Sequence, residues 1–227
     1  MKRALLVIDM QIDFISGLLP VPGAQEAVEN VCKLLEKEKF DQIYATQDYH
    51  FPGNIAFANA WNGAKEGDVI TLEDLESGKV TPRYVSIDRA KKYLEKVEKQ
   101  VLWPIHCLAG SIGSSIPEDL LKAFGDDPWI LHQKGIFLDT EMYSAFSTAD
   151  DSWQDWDFLQ ELSGYDEVWI VGLAKDYCVA SSIQDIMGTL KEKLVIYEPG
   201  MACIDPANPT LEVYKEASEL YGARRIL

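Results

Sequence analysis

Residues 166–190 read DEVWIVGLAKDYCVASSIQDIMGTL, and the fold is decided there. Val168, Trp169, Ile170 and Val171 form a continuous β-branched and aromatic run, the pattern of a strand buried on both faces. A tight turn begins at Gly172. Beyond it, Ile183, Ile186, Met187 and Leu190 recur at i, i+3, i+4 and i+7, which predicts a helix opening at or near Cys178 with one apolar face. The turn sets a thiol between the carboxyl end of a strand and the amino end of a helix. Unpaired backbone N–H groups and the helix dipole at such a place favour thiolate over thiol. The plainer reading of a lone cysteine near a strand end is a small buried hydrophobe. What the rest of the chain brings to Cys178 decides between them.

Outward from this unit, strand and helix alternate. Strands are expected at residues 4–8, 42–46, 129–131, 194–197 and 225–227, and helices at 24–37, 86–100, 118–124, 155–162 and 210–221. This alternation implies an α/β, doubly wound, mainly parallel sheet of about six strands with helices on both faces, a three-layer α/β/α arrangement. Residues 1–227 are read as one domain carrying an inserted lid or arm at about 59–100. That segment lacks clean periodicity, apart from a hairpin expected around VITLEDLESGKVT (69–81).

With 227 residues, 47% of them hydrophobic, the chain is long enough for a large core. No apolar run approaches the roughly 18 residues that cross a membrane, and MKRALLVID reads as a first strand rather than a signal peptide. A net charge of −16 argues against a nucleic-acid or anionic-membrane partner. The four cysteines show no CxxC spacing, which points to reduced thiols and a cytoplasmic location.

Ligands of open parallel sheets bind at the carboxyl ends of the strands, and the chemistry-bearing residues of this chain fall there: Asp9, Asp48 with His50, Lys134 and Cys178. Each alone has a bland explanation, a turn residue for Asp9 or a solvated loop lysine for Lys134; together they make a set. A thiol attacking an amide must lose a proton, and Asp9 is the expected acceptor. Lys134 would stabilise the thiolate and keep Asp9 ionised. Backbone N–H groups of Ala174 and Cys178 are placed to hold the oxyanion. A second constellation joins Asp48, His50 and His106. Residues i and i+2 of an extended segment point to one side, so Asp48 and His50 suit one divalent ion, zinc first, with iron or manganese also accommodated. The alternative is structural hydrogen bonding by both imidazoles. His132 is given no role.

The chain resembles the nicotinamidase/isochorismatase-like cysteine hydrolases over nearly its whole length. The resemblance is carried by LLVIDMQIDF (5–14), ATQDYHFP (45–52), LWPIHC (102–107), KGIFLDTEMYSAF (134–146) and VGLAKDYCV (171–179). It implies hydrolysis of a small-molecule amide such as nicotinamide to the acid and ammonia through a cysteine thioester, with the family's catalytic aspartate, lysine and cysteine at Asp9, Lys134 and Cys178. It also implies a metal at Asp48, His50 and His106 that contacts a pyridine nitrogen, and a cis peptide before Ala174. Phe14 and Trp103 match aromatics that sandwich the substrate ring, Tyr143 matches another pocket wall, and homo-oligomers are expected. This sequence departs from the family pattern after Pro52, where Asn54, Ala56 and Phe57 stand in place of a further histidine and serine. It departs again at Lys175, a cation where threonine is usual, and in the length of the arm. Those departures leave open an amidase for another small amide or carbamoyl compound, or a non-catalytic binding protein.

Overall fold

The computed structural model describes residues 1–227. From the amino terminus, β1 (Arg3–Ile8) leads through the single turn α1 (Ile12–Ile15) to α2 (Ala24–Lys37) and β2 (Gln42–Asp48). The arm contributes β3 (Trp61–Asn62), β4 (Val69–Thr71), α3 (Leu72–Glu76), β5 (Thr81–Pro82), α4 (Ile87–Val97) and β6 (Lys99–Val101). Then come α5 (Glu118–Phe124), β7 (Trp129–Lys134), α6 (Trp156–Ser163) and β8 (Glu167–Gly172). A turn of π-helix over Lys175–Val179 opens α7 (Ala180–Leu190), and β9 (Leu194–Met201), α8 (Glu212–Tyr221) and β10 (Arg224–Ile226) complete the chain.

Six strands form one sheet in the order β10-β9-β8-β1-β2-β7, with every pairing parallel. Both of its faces are covered. Along β1, Ala4, Leu6 and Ile8 enter one buried cluster with residues of α6, α7 and α8, while Leu5 and Val7 enter another with residues of α2 and α5. Side chains alternate across a strand, so this split is what a three-layer α/β/α sandwich requires. Each fully buried leucine or isoleucine contributes about 1.5–3 kcal/mol. No helix is long and apolar enough to cross a membrane, and all four cysteines are free.

The arm has a core of its own, in which Trp61, Ile70, Tyr93, Leu94 and Leu102 are fully buried. The hairpin expected at 69–81 does not form. Thr71 and Asp74 make a capping box that turns the chain into α3 directly after β4. β4 instead pairs antiparallel with β6, and β3 with β5. The helix expected over 86–100 is shorter at its end, α4 stopping at Val97 to free Lys99–Val101 for that pairing. Two further boundaries shift near the site. β7 runs on through Lys134, since its pairing with β2 continues to Asp48 opposite Lys134, and regular α-helix begins at Ala180 with Cys178 inside the π-turn.

Candidate active site

β7, β2, β1 and β8 are consecutive in the sheet, so their carboxyl ends deliver Lys134, Asp48, Asp9 and the turn carrying Cys178 to one place. All four side chains are buried. Gly172 makes the convergence possible: its φ of +139° and the 2.2 Å that would separate a Cβ from Ile8 O leave room for glycine alone beside β1.

Lys134 is the hub. Its Nζ donates to Asp48 Oδ1 at 2.6 Å and to Met142 O at 2.7 Å, and lies 3.7 Å from Cys178 Sγ. It also stands 2.9 Å from Asp9 Oδ2. An ammonium has three hydrogens, so after Asp48 and Met142 one remains between Asp9 and Cys178. Asp9 Oδ2 takes no aligned hydrogen bond despite that close approach, and keeps a lone pair free to accept a proton. Its other oxygen is fixed by Thr46, whose hydroxyl donates to Oδ1 at 2.6 Å and accepts from the Asp9 N–H at 3.0 Å. An Asp9 oxygen and Cys178 Sγ lie within 4.8 Å of each other.

Burial raises the Asp9 carboxyl to about 6, against the pull of Lys134. Burial also lifts the Cys178 thiol well above its usual range, with Lys134 opposing and Asp9 adding to the rise. The thiolate expected from the helix terminus is therefore corrected. Desolvation of an anion in this enclosed place outweighs the lysine and favours the protonated sulfur.

Leu173–Ala174 is a cis peptide. The Ala174 N–H donates to no acceptor of the chain, and Ala174 lines the same cavity as Cys178.

The second constellation also comes together. Asp48, His50 and His106 are buried and place one ligand atom each within 4.8 Å of the others. His50 Nδ1 faces Gly135 O at 3.0 Å, and His106 Nδ1 faces Pro104 O at 2.8 Å. A carbonyl only accepts, which assigns the proton of each neutral ring to Nδ1 and leaves Nε2 with a lone pair. Burial alone would lower His50, yet Glu141 and Asp48 together hold it up at about 9. Burial, with the charge of His50, brings His106 down to about 4. Asp48 stays below the usual carboxylate range, because Lys134 and His50 outweigh its burial. The carboxylates around His50 thus demand a positive charge there, and a divalent cation satisfies them as a proton does. The donors fit a metal.

Phe14, Trp103 and Tyr143 line one small cavity with Asp48, His50, His106, Ala174 and Cys178. Three contributors escaped the sequence reading. Glu141 is a buried carboxylate 3.9 Å from His50 Nε2. Gln11 clamps the Asp48 backbone, donating to its carbonyl and accepting from its N–H, each at 2.8 Å. Tyr177 packs edge-on to Trp103. Gln11 and Glu141 stand inside the quoted motifs, so position was the available signal. Lys175, three residues before Cys178 in the chain, turns away to pair with Glu198 at 2.5 Å and is absent from the cavity wall. Asn54 donates to Phe137 O and flanks His50 Nδ1 at 3.4 Å.

Residues 3–188 match the model of the isochorismatase domain. Among curated proteins, the chain is 32% identical over 180 residues to a nicotinamidase of Acinetobacter baylyi, covering 78% of this chain and 71% of that one. It is 29% identical over 188 residues to a nicotinamidase of Saccharomyces cerevisiae, covering 79% of each. Among solved structures, an Acinetobacter baumanii nicotinamidase/pyrazinamidase superposes with a TM-score of 0.76 at 26% identity, covering 99% of this chain and 95% of that one.

Proposed function

The chain belongs to the isochorismatase family, and from that premise we propose that it hydrolyses nicotinamide, or a close heteroaromatic amide, to the carboxylic acid and ammonia. The observation that carries the reading is the placement of Lys134 Nζ against Asp9, Asp48 and Cys178, of which Asp48 and Cys178 line the cavity.

In the proposed mechanism Asp9 is the base. Its free Oδ2 lone pair takes the Cys178 proton as the sulfur attacks the amide carbon, so the thiolate exists only as the C–S bond forms. The third hydrogen of Lys134 follows the charge between carboxylate and sulfur. The oxyanion is received by the N–H groups of Ala174 and Cys178. The C–N bond then breaks, the proton on Asp9 passes to the departing amine as ammonia, and an acyl thioester remains on Cys178. Asp9, ionised again, takes a proton from water as its oxygen attacks the thioester. Cleavage of the C–S bond releases the acid, and the sulfur recovers its proton from Asp9.

Asp48, His50 and His106 are proposed to hold a divalent metal, zinc first among those suited. Such an ion supplies Lewis-acid attraction for the lone pair of a ring nitrogen. Phe14 and Trp103 offer aromatic surface to the ring.

Ammonia release from nicotinamide tests the reading, measured on wild type, Cys178→Ala and His106→Ala, with metal content determined for each. Robust release should vanish in Cys178→Ala with the fold retained, and His106→Ala should lower bound metal and raise KM. Residual turnover in Cys178→Ala would overturn the nucleophile. Unchanged metal content in His106→Ala would remove that residue from the ligand set.

A further inference from the structure

The arm reaches the cavity through a buried polar relay in which every hydrogen-bond direction is forced. Tyr93 of α4 and Gln100 of β6 are both buried. Gln100 Nε2 donates to Val101 O at 2.5 Å and to the Tyr143 hydroxyl oxygen at 2.9 Å. That uses both hydrogens of the amide nitrogen and sets Gln100 Oε1 as the acceptor for the Tyr93 hydroxyl. Trp103 Nε1, which has a hydrogen and no lone pair, donates to the same Tyr143 oxygen at 3.0 Å. The Tyr143 oxygen therefore accepts twice, and its own hydrogen finds no acceptor in the chain. Tyr143 and Trp103 both line the cavity.

A buried relay of this kind is costly unless every group is satisfied. Here all groups are satisfied but one hydrogen, and that one belongs to the residue on the cavity wall. Two N–H donors on a phenol oxygen also polarise its O–H and make it a better donor. We propose that Tyr143 donates a hydrogen bond to an acceptor atom on the ring of the substrate, and that Gln100 and Tyr93 of the arm are positioning residues that fix this polarity. The ligand class is a heteroaromatic amide bearing a ring acceptor, such as a second nitrogen, on the edge that faces Tyr143. This inference rests on the amidase reading for its substrate class and adds a role for the arm.

The probe is a set of nicotinamide analogues in which each remaining ring CH in turn is replaced by nitrogen. Turnover is measured on wild type, Tyr143→Phe and Gln100→Leu, and calorimetric binding on the same three proteins carrying Cys178→Ala. One aza position should bind about tenfold more tightly than its neighbours in the wild-type background, the worth of one net hydrogen bond. Tyr143→Phe and Gln100→Leu should abolish that preference, with Tyr93→Phe, a smaller change, reducing it and standing in if Gln100→Leu does not fold. A preference absent from wild type, or one retained in Tyr143→Phe, overturns the proposal, as does a uniform loss across all analogues, the mark of a structural role alone. Turnover without a Tyr143-dependent preference sinks this inference and leaves the amidase. A Tyr143-dependent binding preference without turnover sinks the amidase and leaves the donor. Neither turnover nor binding sinks both.

Discussion

Asp9 Oδ2 is a buried carboxylate oxygen with an ammonium 2.9 Å away and no aligned hydrogen bond, a state that costs stability and suits the base proposed for it. Since its folded pKa is raised to about 6, the protonated form is the one the fold prefers. By linkage, Asp9 favours folding below the range of an exposed carboxylate, and that contribution is lost as pH rises through about 6. For turnover the sign is opposite, because only the ionised carboxylate takes a proton. The expected kcat/KM profile falls about tenfold per pH unit below about 6. It carries no alkaline limb from Cys178, because burial raises that thiol and the proposed attack starts from its protonated form. A rate rising with pH through 8 to 9 would indicate a preformed thiolate and remove Asp9 as its base. The residue types at the strand ends were legible in the sequence. Their charge states were not, since burial and the three hydrogens of Lys134 decide them, and neither is visible without coordinates.

At the scale of elements, the contact between β8 and β1 hangs on Gly172. Its φ of +139° and the 2.2 Å from a built Cβ to Ile8 O predict that Gly172→Ala costs about 3 kcal/mol or more, from strain and from a backbone clash that cannot relax cheaply. Thermal unfolding measures it, and a change in Tm of less than a degree would show that the two strands can part there. The sheet strands β1, β2, β8 and β9 were legible because continuous apolar runs mark strands buried on both faces. The end of β7 was not, since His132, Gln133 and Lys134 continue an edge strand in polar residues. The arm was the least legible part. The Thr71–Asp74 capping signal lies in the sequence, but β4 pairs with β6 across α3, β5 and α4, and such a pairing leaves no local pattern.

Across the whole molecule, the parallel sheet was readable from alternation alone, whereas the strand order β7-β2-β1-β8 that gathers the polar ends was not. The sequence places each residue at a strand end without saying which ends are neighbours. That order also puts β7 outermost, bonded on one side only, with Trp129, Ile130 and Leu131 exposed. Outer strands fray before the centre of a sheet gives way. When β7 frays, Lys134 leaves with it, and Asp9 and Asp48 face each other without the cation they share. Rising urea should therefore extinguish ammonia release well before the far-UV circular dichroism of the sheet collapses, and the β7 amides should exchange with deuterium ahead of those in β1. Coincident midpoints would mean that the edge is as firm as the centre. If they separate, the working lifetime of this protein is set by the hold of one border strand on its single neighbour.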